Sequence, residues 1–352
     1  MGRQVSIEDR ARAPVTMQPF DQQLALLGNS RHKLSRIGLG TWQFTLPGGK
    51  LSDHWAPLDQ ATCNDIVAAA MACGINWFDT AEAYGDGSAE IRLATALSQV
   101  TGRNHFIASK WWPRGKSASA IENDFQASTR RLQPHGISLY QIHHPDSESS
   151  LNDELNSLFL LKNKHDNLCI GLSNYGAPDL EKACQIALDR GSPLSAIQVR
   201  YSLLNRAIEQ NGILDIATKY GLSVIAWSPL EQGILSGRFH RDRSGIKLIR
   251  ASRLQGMKRK IRRSGKLIAA LQQVADNHDA SAAQVALAWI LHKSPNLMVL
   301  AGASNPQQVK ENAGAMQISL SVAEMALLEK ASRTPLLYRL TGRAERLISR
   351  GA

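Results

Sequence analysis

Four side chains of complementary acid–base character lie in the first half of a 352-residue chain: Asp79 and Tyr84 in NWFDTAEAYG, Lys110 closing HFIASK, and His143 in SLYQIHH. A tyrosine is a poor acid at neutral pH, with an ordinary pKa near ~10, but a neighbouring Lys ammonium stabilises the phenolate and lowers that value. An Asp paired to the same lysine fixes its position, and a His can orient a carbonyl and share the proton load. The set predicts proton transfer with Tyr84 as general acid, Lys110 as its tuner, Asp79 as the anchor and His143 as the orienter. Each residue alone has a plain structural use, such as a capped turn or a solvated strand end. Their joint placement at the ends of three consecutive predicted strands favours chemistry.

The second half offers amides, hydroxyls and one large ring at equivalent positions. Ser173 and Asn174 end one predicted strand, Gln198 lies in the next, and Trp227 with Ser228 ends the one after. An amide-bearing ring stacked on Trp227, its carboxamide bonded by Asn174 and Gln198, would use these groups together, which describes a nicotinamide. Further on, GASNPQQVKEN (302–312) places Ser304 or Asn305 at a helix N-cap and Pro306 in the first turn. Such a helix start suits a phosphate.

These residues need a scaffold that delivers strand ends to one place. From about residue 35 the chain alternates short β-branched or aromatic runs with helical patterns eight times, the runs being 35–42, 76–81, 105–110, 138–144, 168–174, 195–201, 223–228 and 297–302. Eight such units predict a single-domain α/β fold, a (β/α)8 TIM barrel whose chemistry gathers at strand C-terminal ends. No G-x-G-x-x-G joins a strand to a helix, which argues against a doubly wound dinucleotide fold. LALLG and KLSRI around Asn29 predict a hairpin closing the bottom of the barrel. The expected organisation is a polar extension over 1–20, the barrel over 21–332 and a basic amphipathic helical tail over 333–352.

Charge distribution narrows the partners. The net charge of +11 comes from two places: residues 238–266 hold twelve Lys or Arg against Asp242 alone, and the tail adds five Arg against Glu345. The remaining body is mildly acidic. In RLQGMKRKIRRSGK (253–266), Met257, Ile261 and then Ile268 share a helical face, so Lys258, Arg259, Lys260, Arg262 and Arg263 are expected to face solvent. No aromatic residue lies between Phe239 and Trp289, so base stacking there is not expected and a specific nucleic-acid partner is disfavoured. Cys63, Cys73, Cys169 and Cys184 form no CxxC pair and no zinc spacing, which predicts reduced thiols, no metal and a cytoplasmic protein. No apolar run reaches membrane-spanning length.

GLGTW, NWFDTAEAYG, IASK, YQIHHPD, IGLSNYG, QVRYSLLNR, AWSPLEQGILSGRF and VLAGASNPQQVKENAGA, in this order from about residue 24 to 332, resemble the aldo-keto reductase superfamily. The C-terminal half is most similar to the branch containing potassium channel β-subunits and their bacterial reductase relatives. The resemblance implies that Asp79, Tyr84, Lys110 and His143 form a catalytic tetrad, that Ser173, Asn174 and Gln198 contact nicotinamide, and that Trp227 stacks on it. By the same resemblance Ser228, Pro229, Leu230, Gly233 and Arg238 serve the pyrophosphate. Gly302, Ser304, Gln308, Glu311 and Asn312 serve the adenosine and 2′-phosphate end, Arg250 lies against adenine, and Thr41 and Trp42 complete the coenzyme contacts. The implied reaction is NADP(H)-dependent reduction of an aldehyde or ketone, with NADH as a possible substitute. Trp42, Trp111 and Trp112 are expected to wall the substrate pocket around Tyr84 and His143, with core packing an equal alternative for Trp111 and Trp112. The rival function is a non-catalytic, coenzyme-sensing regulatory subunit like the channel β-subunits, which commonly carry Asn where this chain has His143.

Overall fold

The computed structural model describes residues 24–100, 104–242 and 251–333. It begins with the hairpin, in which β1 (Leu24–Leu26) pairs antiparallel with β2 (Lys33–Ser35). Gly28 turns it with φ near +51°, where a Cβ would stand 2.1 Å from the Ser195 carbonyl oxygen, so a side chain would be excluded both by conformation and by space. The hairpin is pinned by the Gly28 N–H on Ser223 Oγ at 2.8 Å. Leu27 and Leu34 pack inside the barrel with Trp77, Phe106, Leu139, Ile225 and Met298, so the floor is sealed by apolar side chains.

Above this floor stand eight parallel strands: β3 (Ile37–Gly40), β4 (Trp77–Asp79), β5 (Phe106–Trp111), β6 (Leu139–Ile142), β7 (Cys169–Ser173), β8 (Ala196–Arg200), β9 (Ser223–Trp227) and β10 (Leu297–Gly302). They close in the order β10-β3-β4-β5-β6-β7-β8-β9, the (β/α)8 barrel expected from the alternation. The helices are α1 (Gln60–Ala72), α2 (Ser88–Leu97), α3 (Ile121–Leu132), α4 (Leu151–Lys164), α5 (Ala177–Asp189), α6 (Ile213–Tyr220), α7 (Arg238–Arg241), α8 (Ala251–Arg263), α9 (Gly265–Asn277), α10 (Ala282–Lys293), α11 (Pro306–Gly314) and α12 (Val322–Ser332). Strand side chains alternate between the inner barrel and the layer beneath the helices. Inward positions near the C-terminal ends therefore present Asp79, Lys110, His143, Gln198 and Trp227 to one mouth. The polar extension and the C-terminal tail, apart from Arg333, lie outside the described residues. Among those residues no helix is long and apolar enough to cross a membrane.

The basic stretch divides much as its pattern predicts. Met257 and Ile261 are buried with Ile234 and Phe239, while Lys258, Arg259, Arg262 and Arg263 lie on the exposed face of α8. Lys260 departs from the expectation of simple solvation. Its ammonium lies 2.8 Å from the buried carboxylate of Glu231, a contact across 29 positions that local periodicity does not encode.

Some helix starts carry side-chain caps. Ser281 and Ser321 form reciprocal capping boxes with Gln284 and Glu324. Burial pushes the Glu324 carboxyl upward, yet the Ser321 N–H and hydroxyl, His278 and Asn277 outweigh it and hold the pKa down to about 2. A depressed carboxyl pKa contributes stability that is present above the unfolded value and lost as pH falls toward the folded one. Glu324→Gln is therefore expected to flatten the loss of thermal stability between about pH 5 and pH 2. Melting temperatures across that range check this, and parallel curves for the two proteins would refute it.

Candidate active site

At the mouth, the Lys110 ammonium sits 2.6 Å from Asp79 Oδ1, 2.8 Å from the Thr80 carbonyl oxygen and 3.3 Å from the Tyr84 hydroxyl. Lys110 and Asp79 are essentially inaccessible, so the pair is shielded from screening by solvent. Burial pushes the Asp79 carboxyl upward against the pull of Lys110 and Gln198. Burial also opposes the charge on Lys110, but Asp79 and Tyr84 overcome it and hold that pKa above its ordinary value. At 2.6 Å with further hydrogen bonds on both partners, this is an ion pair.

Tyr84 is raised, and this reverses the direction expected from its sequence neighbours. Burial disfavours the phenolate more strongly than Lys110 favours it, with Asp79 adding to the rise. The hydroxyl thus keeps its proton at neutral pH, as a proton donor must. His143 lies with its ring centroid 5.7 Å from that of Tyr84, and burial, Lys110 and His144 lower its pKa well below the usual value, leaving a neutral imidazole.

Aromatic side chains flank this group unevenly. Trp42 stacks between His54 at 4.1 Å and Tyr84 at 5.8 Å, while Trp112 meets His143 edge-on at 5.2 Å. Trp111 does not join them. β5 continues one residue past Lys110, so Trp111 points to the outer layer, fully buried, and its indole N–H donates to Asp124 of α3 at 2.9 Å. Of the two roles weighed for it, core packing is the one its position fits. Thr41 is also buried, its hydroxyl donating to the Asp79 carbonyl oxygen at 2.9 Å, so it frames Asp79 and turns no hydroxyl to the cleft.

The opposite side of the mouth carries the groups expected to hold a nicotinamide coenzyme. Gln198 donates to Asp79 Oδ2 at 2.8 Å, which joins it to the acid–base group and leaves its carbonyl oxygen to accept from a carboxamide. Asn174, at φ near +63°, donates to the His143 carbonyl oxygen and to Ser173 Oγ, and accepts the Trp227 indole N–H at 3.1 Å. The Trp227 ring is thereby fixed, with the Arg200 guanidinium 5.7 Å from its centroid. Following it, Ser228-Pro229-Leu230 leads into Glu231, Gln232 and Gly233. Ser228, Glu231 and Gln232 all adopt left-handed backbone conformations, costly for non-glycine residues and concentrated at functional loops. A Cβ on Gly233 would stand 3.0 Å from the Arg238 guanidinium, whose pKa is lowered by burial with no carboxylate raising it among the described residues. A cation without a carboxylate beside a tightly turned loop fits a diphosphate.

At the far end Asn305 caps α11 by accepting the Gln308 N–H, Gln308 Oε1 accepts the Ser304 N–H, and Asn312 reaches the Gly302 carbonyl oxygen. Glu311 lies on the same helix. These contacts occupy the helix start with its own side chains. Arg250 lies outside the described residues. Sequence reading missed Arg200 and Glu231, whose guanidinium and carboxylate meet in a bidentate pair. The available signal was a single acid in SPLEQG shortly before a strongly basic segment.

The sequence profile described as the aldo/keto reductase family matches residues 36–333. The chain belongs to the aldo/keto reductase family. This family membership makes it an oxidoreductase of a kind that uses nicotinamide coenzymes and small-molecule substrates. Among its aldo/keto reductase relatives, an uncharacterised oxidoreductase of Mycobacterium tuberculosis is 36% identical over 304 residues, covering 86% of this chain and 90% of that protein. The NADH-specific methylglyoxal reductase of Escherichia coli is 30% identical over 327 residues, covering 86% and 96%. A solved thermostable aldo-keto reductase, in complex with the inhibitor epalrestat, matches with a TM-score of 0.70 and 26% identity over 88% of this chain and 99% of that one.

Proposed function

We propose that this aldo/keto reductase reduces an aldehyde or ketone to the alcohol with NADPH, Tyr84 supplying the proton. The observation that carries the reading is the buried Tyr84 hydroxyl 3.3 Å from a lysine itself held by Asp79. When bound, the reduced nicotinamide supplies hydride to the carbonyl carbon. Trp227 offers it a fixed ring face, and Gln198 and Asn174 offer polar atoms to its carboxamide. The carbonyl oxygen lies between Tyr84 and neutral His143, where two donors meet the charge that develops on it. As Tyr84 gives up its proton, Lys110 stabilises the phenolate, and Asp79 keeps the ammonium in place.

Arg238 and the exposed basic face of α8 raise the local potential for a polyanion, which favours the extra phosphate of NADPH. The NADH-specific relative makes the opposite preference a meaningful outcome. Purified protein assayed with NADPH and NADH against methylglyoxal, aryl aldehydes and sugars is expected to oxidise coenzyme only when a carbonyl is present, with higher kcat/KM for NADPH. Coenzyme binding without turnover on any carbonyl would overturn the reductase reading. Higher kcat/KM with NADH would overturn only the coenzyme preference.

A further inference from the structure

We infer that Glu82 is a positioning residue, its side-chain carboxylate prolonging the β4–β5 ladder beyond the end of β4 and thereby setting Trp112 against the acid–base group. The inference rests on the proposed carbonyl reduction for its kinetic meaning but on geometry for its existence. In a parallel pair, alternate residues of one strand donate to and accept from the backbone of the other. The Thr80 N–H donates to the Ala108 carbonyl oxygen at 2.9 Å, and the Glu82 N–H reaches the Lys110 carbonyl oxygen at 3.5 Å. The next rung would bring the Trp112 N–H to the Glu82 backbone carbonyl. Instead the Trp112 N–H donates to Glu82 Oε1 at 2.5 Å, so the side chain stands in for the backbone after the chain has turned away toward Tyr84.

One residue therefore holds three parts of the site in register. Its backbone bonds the carbonyl of Lys110, its chain continues two residues to Tyr84, and its carboxylate fixes Trp112, whose ring abuts His143 at 5.2 Å. The carboxylate is itself held from the outer layer. Lys116 Nζ lies 3.1 Å from Glu82 and 2.8 Å from Asp124, the residue that also accepts the Trp111 indole N–H. Consecutive tryptophans thus end on one half-buried network, the first by its ring and the second by its backbone.

The test uses the full chain with Glu82→Ala, Glu82→Gln and Lys116→Met, read by hydrogen exchange at the Trp112 amide, NADPH affinity from fluorescence quenching, and KM and kcat for an aldehyde. Glu82→Ala is expected to speed Trp112 exchange by about tenfold, the loss of one hydrogen bond. It is expected to lower kcat/KM for the aldehyde by about 10- to 100-fold, as misplaced groups do, with NADPH affinity unchanged within about twofold. Glu82→Gln keeps an acceptor at the same reach and is expected to restore most of both. Lys116→Met leaves the rung but loosens it, with an intermediate result; should Glu82→Ala fail to fold, this variant and Glu82→Gln carry the test. Unaltered Trp112 exchange in folded Glu82→Ala, or in Lys116→Met where the alanine variant does not fold, overturns the inference. So does a Glu82→Gln protein as impaired as the alanine variant, which would show that charge and not the rung is needed. A wild-type protein inert toward all carbonyls would sink the reductase reading while the exchange measurement still decides the role of Glu82.

Discussion

Tyr84→Phe is expected to lower kcat for carbonyl reduction by roughly 10²–10⁴-fold, the contribution of a positioned general acid. The ring, its stacking on Trp42 and its place over Lys110 are kept; only the transferable proton is removed. Stability should fall by only about 1 kcal/mol, because Lys110 loses one of three acceptors and retains Asp79 and the Thr80 carbonyl. NADPH quenching should persist, since Trp227 and its partner Asn174 are untouched. The pH profile of the wild type follows from the sign of the Tyr84 shift. A pKa raised by burial keeps the donor protonated through and beyond neutrality, so Tyr84 itself imposes no fall in reduction rate below about pH 10. A Phe variant with wild-type kcat, alongside normal coenzyme binding, would remove Tyr84 from the chemistry.

Lys110→Met is expected to abolish turnover and, unlike Tyr84→Phe, to destabilise the fold severely, by roughly 3–5 kcal/mol. The cause is what remains. Asp79 would be left as a carboxylate at 1% exposure with Gln198 as its one remaining side-chain donor among the described residues, and burial already pushes its carboxyl toward neutrality. Combining Lys110→Met with Asp79→Asn removes both charges, and much of the stability should return while activity does not. Urea denaturation of the two single variants and the double variant separates the terms. Equal stabilities for Lys110→Met and wild type would mean that the pair is not the buried ion pair described above.

The eight strands were legible because each is a short run of β-branched or aromatic residues between helical patterns, and the barrel then dictates which strand ends meet. Asp79, Lys110 and His143 could be brought together on that reasoning alone, and the hairpin that seals the floor was visible as two short apolar runs around Asn29. Less accessible were features set by distance and by burial. Trp111 shares its residue type and neighbourhood with Trp112, yet one more residue of β5 turns it outward; strict alternation from Lys110 would have revealed this. Lys260 reads as one charge among many until the fold places Glu231 beside it. The direction of the Tyr84 shift depends on how much water the folded site excludes, which no pattern of neighbours states.

The plugged floor has a consequence for traffic. With Leu27 and Leu34 packed among the inward side chains at one end, the described barrel offers no passage there, so whatever reaches Trp227 and Tyr84 comes from the strand C-terminal side. The hairpin, far from the acid–base group, thereby confines approach to the opposite face of the barrel.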